Sequence, residues 1–211
     1  MPNVKDMAPA YDRIHDTQYA YRELLDAFAK PGQIGDLSCV VAHQPELAPK
    51  LAMLSCFAHV LLDGEVTFSV AMRENREQIE TAIRKLTFCR LSALAEADYV
   101  FADGDAGEAE IGPLAGELKL GSLIKPEDGA TVFIRVDGFR GGEEGGCRLV
   151  LSGPGIPSTR SLSVQGLSGA WLELRARANE EYPLGIDIVL FEDNGRIAAL
   201  PRTTVISGEW G

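Results

Sequence analysis

A mixed α/β fold is the architecture this sequence predicts, as a three-layer α/β/α sandwich with helices on both faces of one sheet. Three observations lead there. Helical patterns dominate the first half and short apolar strands the second, with helices interleaved, an order that a mixed sheet between helical layers accommodates. The chain has 211 residues, 45% hydrophobic and 24% charged, the balance of a packed globular protein. No stretch approaches the ~18 consecutive apolar residues of a membrane span. The expected organisation is an N-terminal extension, 1–16, and a single α/β domain, 17–211.

Tyr21, Leu24, Leu25 and Phe28 recur at helical spacing, with Asp16 or Thr17 placed to cap the start and Pro31-Gly32 to stop the helix. Leu47, Leu51, Leu54, Ala58 and Leu61 form a second stripe, which Met53, Phe57 and Val60 widen. A helix apolar on so many sides is a buried one. Val66 to Val70 reads as a strand. Glu74 to Leu86 is a third helix, with Glu80 and Arg84 at the favourable i, i+4 order. Tyr99-Val100-Phe101 is a short strand, and Pro113 to Leu123 holds a helical turn or two. Thr131 to Val136 and Arg148 to Leu151 are strands expected to pair across a glycine-rich loop, Phe139 to Gly146. Ser161 to Val164 adds a strand and Ala170 to Ala178 a helix. Ile186–Phe191 and Arg196–Leu200 form a hairpin through Asp193-Asn194-Gly195.

Charge and rare residues narrow the function. The net charge is −11, which disfavours nucleic acid as a partner. Arg135, Arg140 and Arg148, and the pair Arg175 and Arg177, read as a solvated face. Cys39, Cys56, Cys89 and Cys147 form no C-x-x-C pair and no Cys/His metal spacing, so no metal is expected. Cys56 and His59 share a helix face, where packing is the simpler reading. Met1–Asp16 has no secretory apolar core, so the expected compartment is the cytoplasm. There is no Walker loop, dinucleotide fingerprint, H-E-x-x-H or nucleophile elbow, and no catalytic residue is identifiable.

Three segments remain. Gly153-Pro154-Gly155-Ile156, before Ser158 to Ser161, reads as a plain turn, with an anion-presenting loop as the alternative. Asp187 lies among Ile186, Ile188, Val189 and Leu190, where a carboxylate needs a partner. Pro201 ends the last strand of the hairpin, and Arg202, Thr203 and Thr204 follow it. An arginine beside two hydroxyls suits a phosphate-like anion. Arg202, Thr203, Thr204 and Asp187 are therefore the candidate substrate-binding residues. A subunit interface, or an Asp187–Arg202 ion pair, explains them equally.

Tyr21 to Gly32, Leu151 to Ile156, Pro183 to Asp187 and Leu200 to Thr204 together resemble the H-subunit family of bacterial carbon–phosphorus lyase, in family order over nearly the whole chain. Met1–Asp16 lies outside the resemblance. The resemblance implies a fold like that of the pyridoxal-phosphate-dependent transferases without the cofactor site. It implies phosphonate catabolism, in which the G, I and L subunits join a phosphonate to the ribose of ATP as ribose 1-phosphonate 5-triphosphate. It implies partners in a core complex with subunits G, I and J, and a homodimer in isolation, to which the surplus apolar surface of Leu47–Leu62 also points. No cofactor is expected. Lys5, Lys30, Lys50, Lys85, Lys119 and Lys125 offer no evident strand-end pocket for a Schiff base, and no iron–sulfur cysteine run appears. An accessory or scaffold role follows. A subunit that binds or acts on a phosphonate or nucleotide is the alternative.

Overall fold

A computed structural model describes residues 10–139 and 146–207. The expected glycine-rich loop, Arg140 and residues 1–9 of the expected extension lie outside, or largely outside, those residues. The chain runs α1 (His15–Ala29), β1 (Gly35–Asp36), α2 (Ser38–Ala42), α3 (Pro49–Leu61), β2 (Thr67–Ala71), α4 (Arg76–Thr87), β3 (Arg90–Leu91), β4 (Tyr99–Asp103) and α5 (Glu108–Ile111). It continues as β5 (Thr131–Arg135), β6 (Gly138–Phe139), β7 (Cys147–Ser152), β8 (Arg160–Gln165), α6 (Gly169–Ala178), β9 (Asp187–Phe191), β10 (Arg196–Leu200) and β11 (Val205–Ser207).

The fold is α/β with a mixed seven-stranded sheet, ordered β1-β10-β9-β5-β4-β2-β3. Strands β3, β2, β4, β5 and β9 run parallel, β10 runs antiparallel to β9, and β1 pairs antiparallel with β10. Alternation sorts the two faces. Phe68, Val70, Phe101, Phe133, Val189, Phe191 and Ile197 pack with Leu24 of α1, Phe57 of α3 and Ile79 and Ile83 of α4. Val100, Ala102, Val132, Ile134, Ile188, Leu190 and Leu200 pack on the opposite side with Trp171 and Leu174 of α6. Leu149, Leu151, Leu162 and Val164 join that second core. They belong to a separate four-stranded antiparallel sheet, β11-β7-β8-β6.

That second sheet corrects an expectation. β7 does not pair with β5; it pairs with β8 and β11. Both edges of β5 are occupied by β4 and β9. The reason is visible in the burial. Val132, Phe133 and Ile134 are all buried, as in a central parallel strand, whereas β7 and β8 alternate between buried and partly exposed residues.

Local details explain and amend the helices. The start of α1 is tied reciprocally: Asp12 Oδ1 accepts the Ile14 and His15 N–H groups at 2.9 and 3.0 Å, and Asp16 Oδ2 accepts the Asp12 N–H at 2.8 Å. Asp16 is also buried, with His43 Nδ1 2.9 Å away. Pro49 opens α3, where its missing N–H costs nothing. Every residue from Ala52 to Ala58 is buried. Leu47 before it, and Leu51, Val60 and Leu61 toward its two ends, remain half-buried. On α4, Glu80 pairs with Arg76 at 2.7 Å rather than with Arg84.

Candidate functional site

The carboxyl ends of the parallel strands converge on a polar cleft of about 420 Å³, lined by Lys50, Arg73, Glu74, Asp103, Asp105, Arg135, Asp137 and Gly166. Its position follows from topology. From β2 the chain first adds β3 on one side, then β4 on the other, and such a reversal opens a crevice at the strand ends. Asp103 ends β4 in that crevice. Its Oδ2 accepts the Arg73 N–H at 2.9 Å, its carbonyl accepts the Trp171 indole N–H at 3.0 Å, and its Oδ1 is 3.9 Å from Lys50 Nζ. A Cβ at Gly104 would run into the carbonyl oxygens of Gly166 and Arg135, so only glycine lets the two loops close beneath the cleft.

The cations of the cleft differ in how far they are committed. Arg135 makes a two-pronged contact with Asp193, at 2.7 and 2.6 Å, which raises its pKa. The Arg73 guanidinium is bonded to Asp105, and its pKa is raised for the same reason. Lys50 is different. Its side chain is only 16% exposed, and its ammonium has no hydrogen bond among the described residues. It stands in the first turn of α3, where the helix dipole disfavours a cation. Lys50 therefore does reach a strand-end pocket, contrary to the expectation from sequence. The signal was weak, because a lysine after proline at a helix start reads as solvated. Chemically the cleft offers an uncommitted ammonium and a fixed carboxylate, which suits a small polar ligand carrying an anionic group and a donor. Among the described residues no histidine lines it.

The four candidate residues lie elsewhere and do not all converge. Asp187 and Arg202 meet. Arg202 Nη2 and Nε reach Asp187 Oδ2 at 2.7 and 3.2 Å, and the Arg202 N–H donates to Asp187 Oδ1 at 2.6 Å. Arg202 Nη1 donates to the carbonyl of Pro126 at 2.7 Å. The two side chains are 12% and 19% exposed. Thr203 is exposed, whereas Thr204 is buried with its hydroxyl unpartnered among the described residues. The two hydroxyls thus do not form one cradle with the guanidinium.

Sequence reasoning also misplaced Arg175, which is no part of a solvated face. It is 5% exposed. Its Nη2 donates to the carbonyls of Pro201 and Thr204 at 2.7 and 2.8 Å, and burial draws its pKa down to about 10. The signal existed: Trp171, Leu174, Arg175 and Ala178 share the buried stripe of α6. The Gly153–Ile156 segment is a turn packed on the end of α1, where a Cβ at Gly155 would strike the Ala29 carbonyl oxygen. The nearby Arg160 is bonded to the carbonyls of Lys30 and Pro31. Cys56 is buried, and burial pushes its thiol up to about 12, which makes it a packing residue. Among the described residues, no group of three or more His, Cys, Asp or Glu is placed to hold a metal ion.

Comparison with known proteins adds an independent line. The sequence model of a family described as bacterial phosphonate metabolism protein (PhnH) matches residues 9–207. The match begins inside the stretch expected to be an extension. The chain is 33% identical over 190 residues to a putative C-P lyase subunit protein, HtxG, of Stutzerimonas stutzeri, across 90% of this chain and 85% of that one. It is 29% identical over 202 residues to the alpha-D-ribose 1-methylphosphonate 5-triphosphate synthase subunit PhnH of Rhizobium meliloti (strain 1021), across 94% of each.

Proposed function

The chain belongs to the PhnH family of bacterial phosphonate metabolism proteins, and from that premise we propose that it is a subunit of the bacterial carbon–phosphorus lyase system. Its task there is the formation of ribose 1-phosphonate 5-triphosphate from ATP and a phosphonate, together with the G, I and L subunits. The observation that carries this reading is the family match, which spans 9–207 of 211 residues. The accessory or scaffold role is supported by the lack of a convergent His/Asp/Ser set in the sequence; the described lining of the cleft holds no serine, threonine, cysteine or histidine. The Asp187–Arg202 pair fits this role as an anchor of the fold, since the guanidinium meets protein acceptors. The finer architecture is read as three layers: α1 to α4 on one face, the mixed sheet, and α6 with the small sheet on the other. The transferase-like fold, the homodimer and the cytoplasmic site come from the family resemblance; no described helix is long and apolar enough to cross a membrane. Sedimentation giving the mass of one 22.8 kDa chain would remove the homodimer.

An in-frame deletion of the gene tests the role. The deletion strain should fail to grow with methylphosphonate as its sole phosphorus source, grow on phosphate, and recover when the gene is restored. Growth of the deletion strain on methylphosphonate would overturn the proposal.

The second reading, direct ligand binding, is favoured by the uncommitted Lys50 ammonium opposite Asp103. Calorimetric titration with methylphosphonate should then show heat that Lys50→Met abolishes while melting stays unchanged. No heat with the wild-type protein would leave the scaffold role alone.

A further inference from the structure

Helix α4 hands over to the edge strand β3 through Phe88 and Cys89. Phe88 takes the left-handed conformation, φ 60° and ψ 11°, and donates its N–H to the Arg84 carbonyl at 3.0 Å. Glycine is the usual residue at that position, because a side chain there strains the backbone. The Phe88 ring gains little from the fold in return, being 82% exposed. Leu86 and Leu91 beside it are 38% and 40% exposed. Phe88 and Leu91 line an open hollow of about 910 Å³ with Arg84, Lys85 and Arg90, and among the described residues no carboxylate lines it. None of the three cations has an ion pair among the described residues. Arg84 and Lys85 suit the negative end of α4. That explains neither Arg90, on the strand, nor the strained aromatic. Strained backbone of this kind clusters at functional positions. The charged side chains described around this hollow are all cationic, on a chain of net charge −11.

We propose that the patch centred on Phe88 docks another subunit of the carbon–phosphorus lyase complex, through an acidic surface that offers the phenyl ring an apolar pocket. This rests on the family reading above. Charge decides the occupant. A second copy meeting this patch across a twofold axis would set three cations against three cations. An acidic partner pairs them, while the buried ring supplies the anchor typical of interface centres.

The test measures binding of the full chain to the purified G, I and J subunits of the same organism. Phe88→Gly relieves the strained conformation, so its melting temperature should be unchanged or higher while binding weakens about ten-fold or more. The double variant Arg84→Glu, Arg90→Glu should also stay folded and lose binding, and wild-type binding should weaken as salt rises. Wild-type affinity retained in Phe88→Gly would overturn the proposal. So would variants that alter only self-association. Failure of the wild-type chain to bind any of these subunits would overturn the family-based role and the patch together.

Discussion

Replacing Arg202 with alanine should destabilise the chain without touching the cleft. The guanidinium and Asp187 are 12% and 19% exposed, so the carboxylate left behind is mostly shielded from water. Removing one member of a buried pair costs about 3–5 kcal/mol, and the residual exposure places this case near 3. The bond to the Pro126 carbonyl is lost as well, which frees the loop leading into β5. In a chain of 211 residues about 3 kcal/mol lowers the melting temperature by about 6–12 °C. Thermal unfolding followed by circular dichroism measures this. Asp187→Asn should lose stability too, and the double variant Asp187→Asn, Arg202→Ala should lose about 1–3 kcal/mol less than the sum of the singles. Melting of Arg202→Ala within 1 °C of wild type, or strictly additive losses, would refute the anchor and leave Arg202 as a solvated charge.

Thiol reagents should modify Cys39, which is exposed, before the other cysteines; Cys56, held up near 12 by burial, should react only on unfolding, as mass spectrometry of quenched samples would show. Burial, with Arg13 nearby, lowers the pKa of His59 below its ordinary 6.5. The unfolded chain therefore takes up a proton that the fold resists, so this group's contribution falls as pH drops below about 6.5. Denaturant unfolding across that range should show a shallower loss in His59→Gln, and an identical slope would contradict the burial argument. Gly155→Ala, at φ +81° and against the Ala29 carbonyl oxygen, should cost about 2 kcal/mol or more by the same assay, and a neutral result would show that the turn is not packed on α1.

Much of the fold was legible because the strongest periodic signals coincide with the largest buried surfaces. The stripes of α1, α3 and α4, and the turn Asp193-Asn194-Gly195, needed no tertiary information. The two-residue strands β1 and β3 and the five-residue α2 were not legible, since segments that short carry no period. The second sheet was missed for a different reason: the partner of a strand is chosen by what occupies its edges, which local pattern does not encode. The Asp187–Arg202 pair was legible, because a carboxylate in an apolar strand demands a partner and the hairpin supplies one nearby. The cleft was not. Lys50, Arg73 and Asp103 are far apart in sequence and ordinary in their local settings, and only the reversal of strand order brings them together. The Phe88 patch was hidden by a similar fault, the assumption that Glu80 reaches Arg84.

The central claim is that this chain is needed to join a phosphonate to the ribose of ATP. The most direct measurement reconstitutes that step with purified G, I and L subunits, ATP and methylphosphonate, following adenine release and the phosphorus resonance of the product with and without the chain. The account predicts that adenine and ribose 1-methylphosphonate 5-triphosphate accumulate in equal amounts only when the chain is present. Equal rates of product formation in its absence would contradict it.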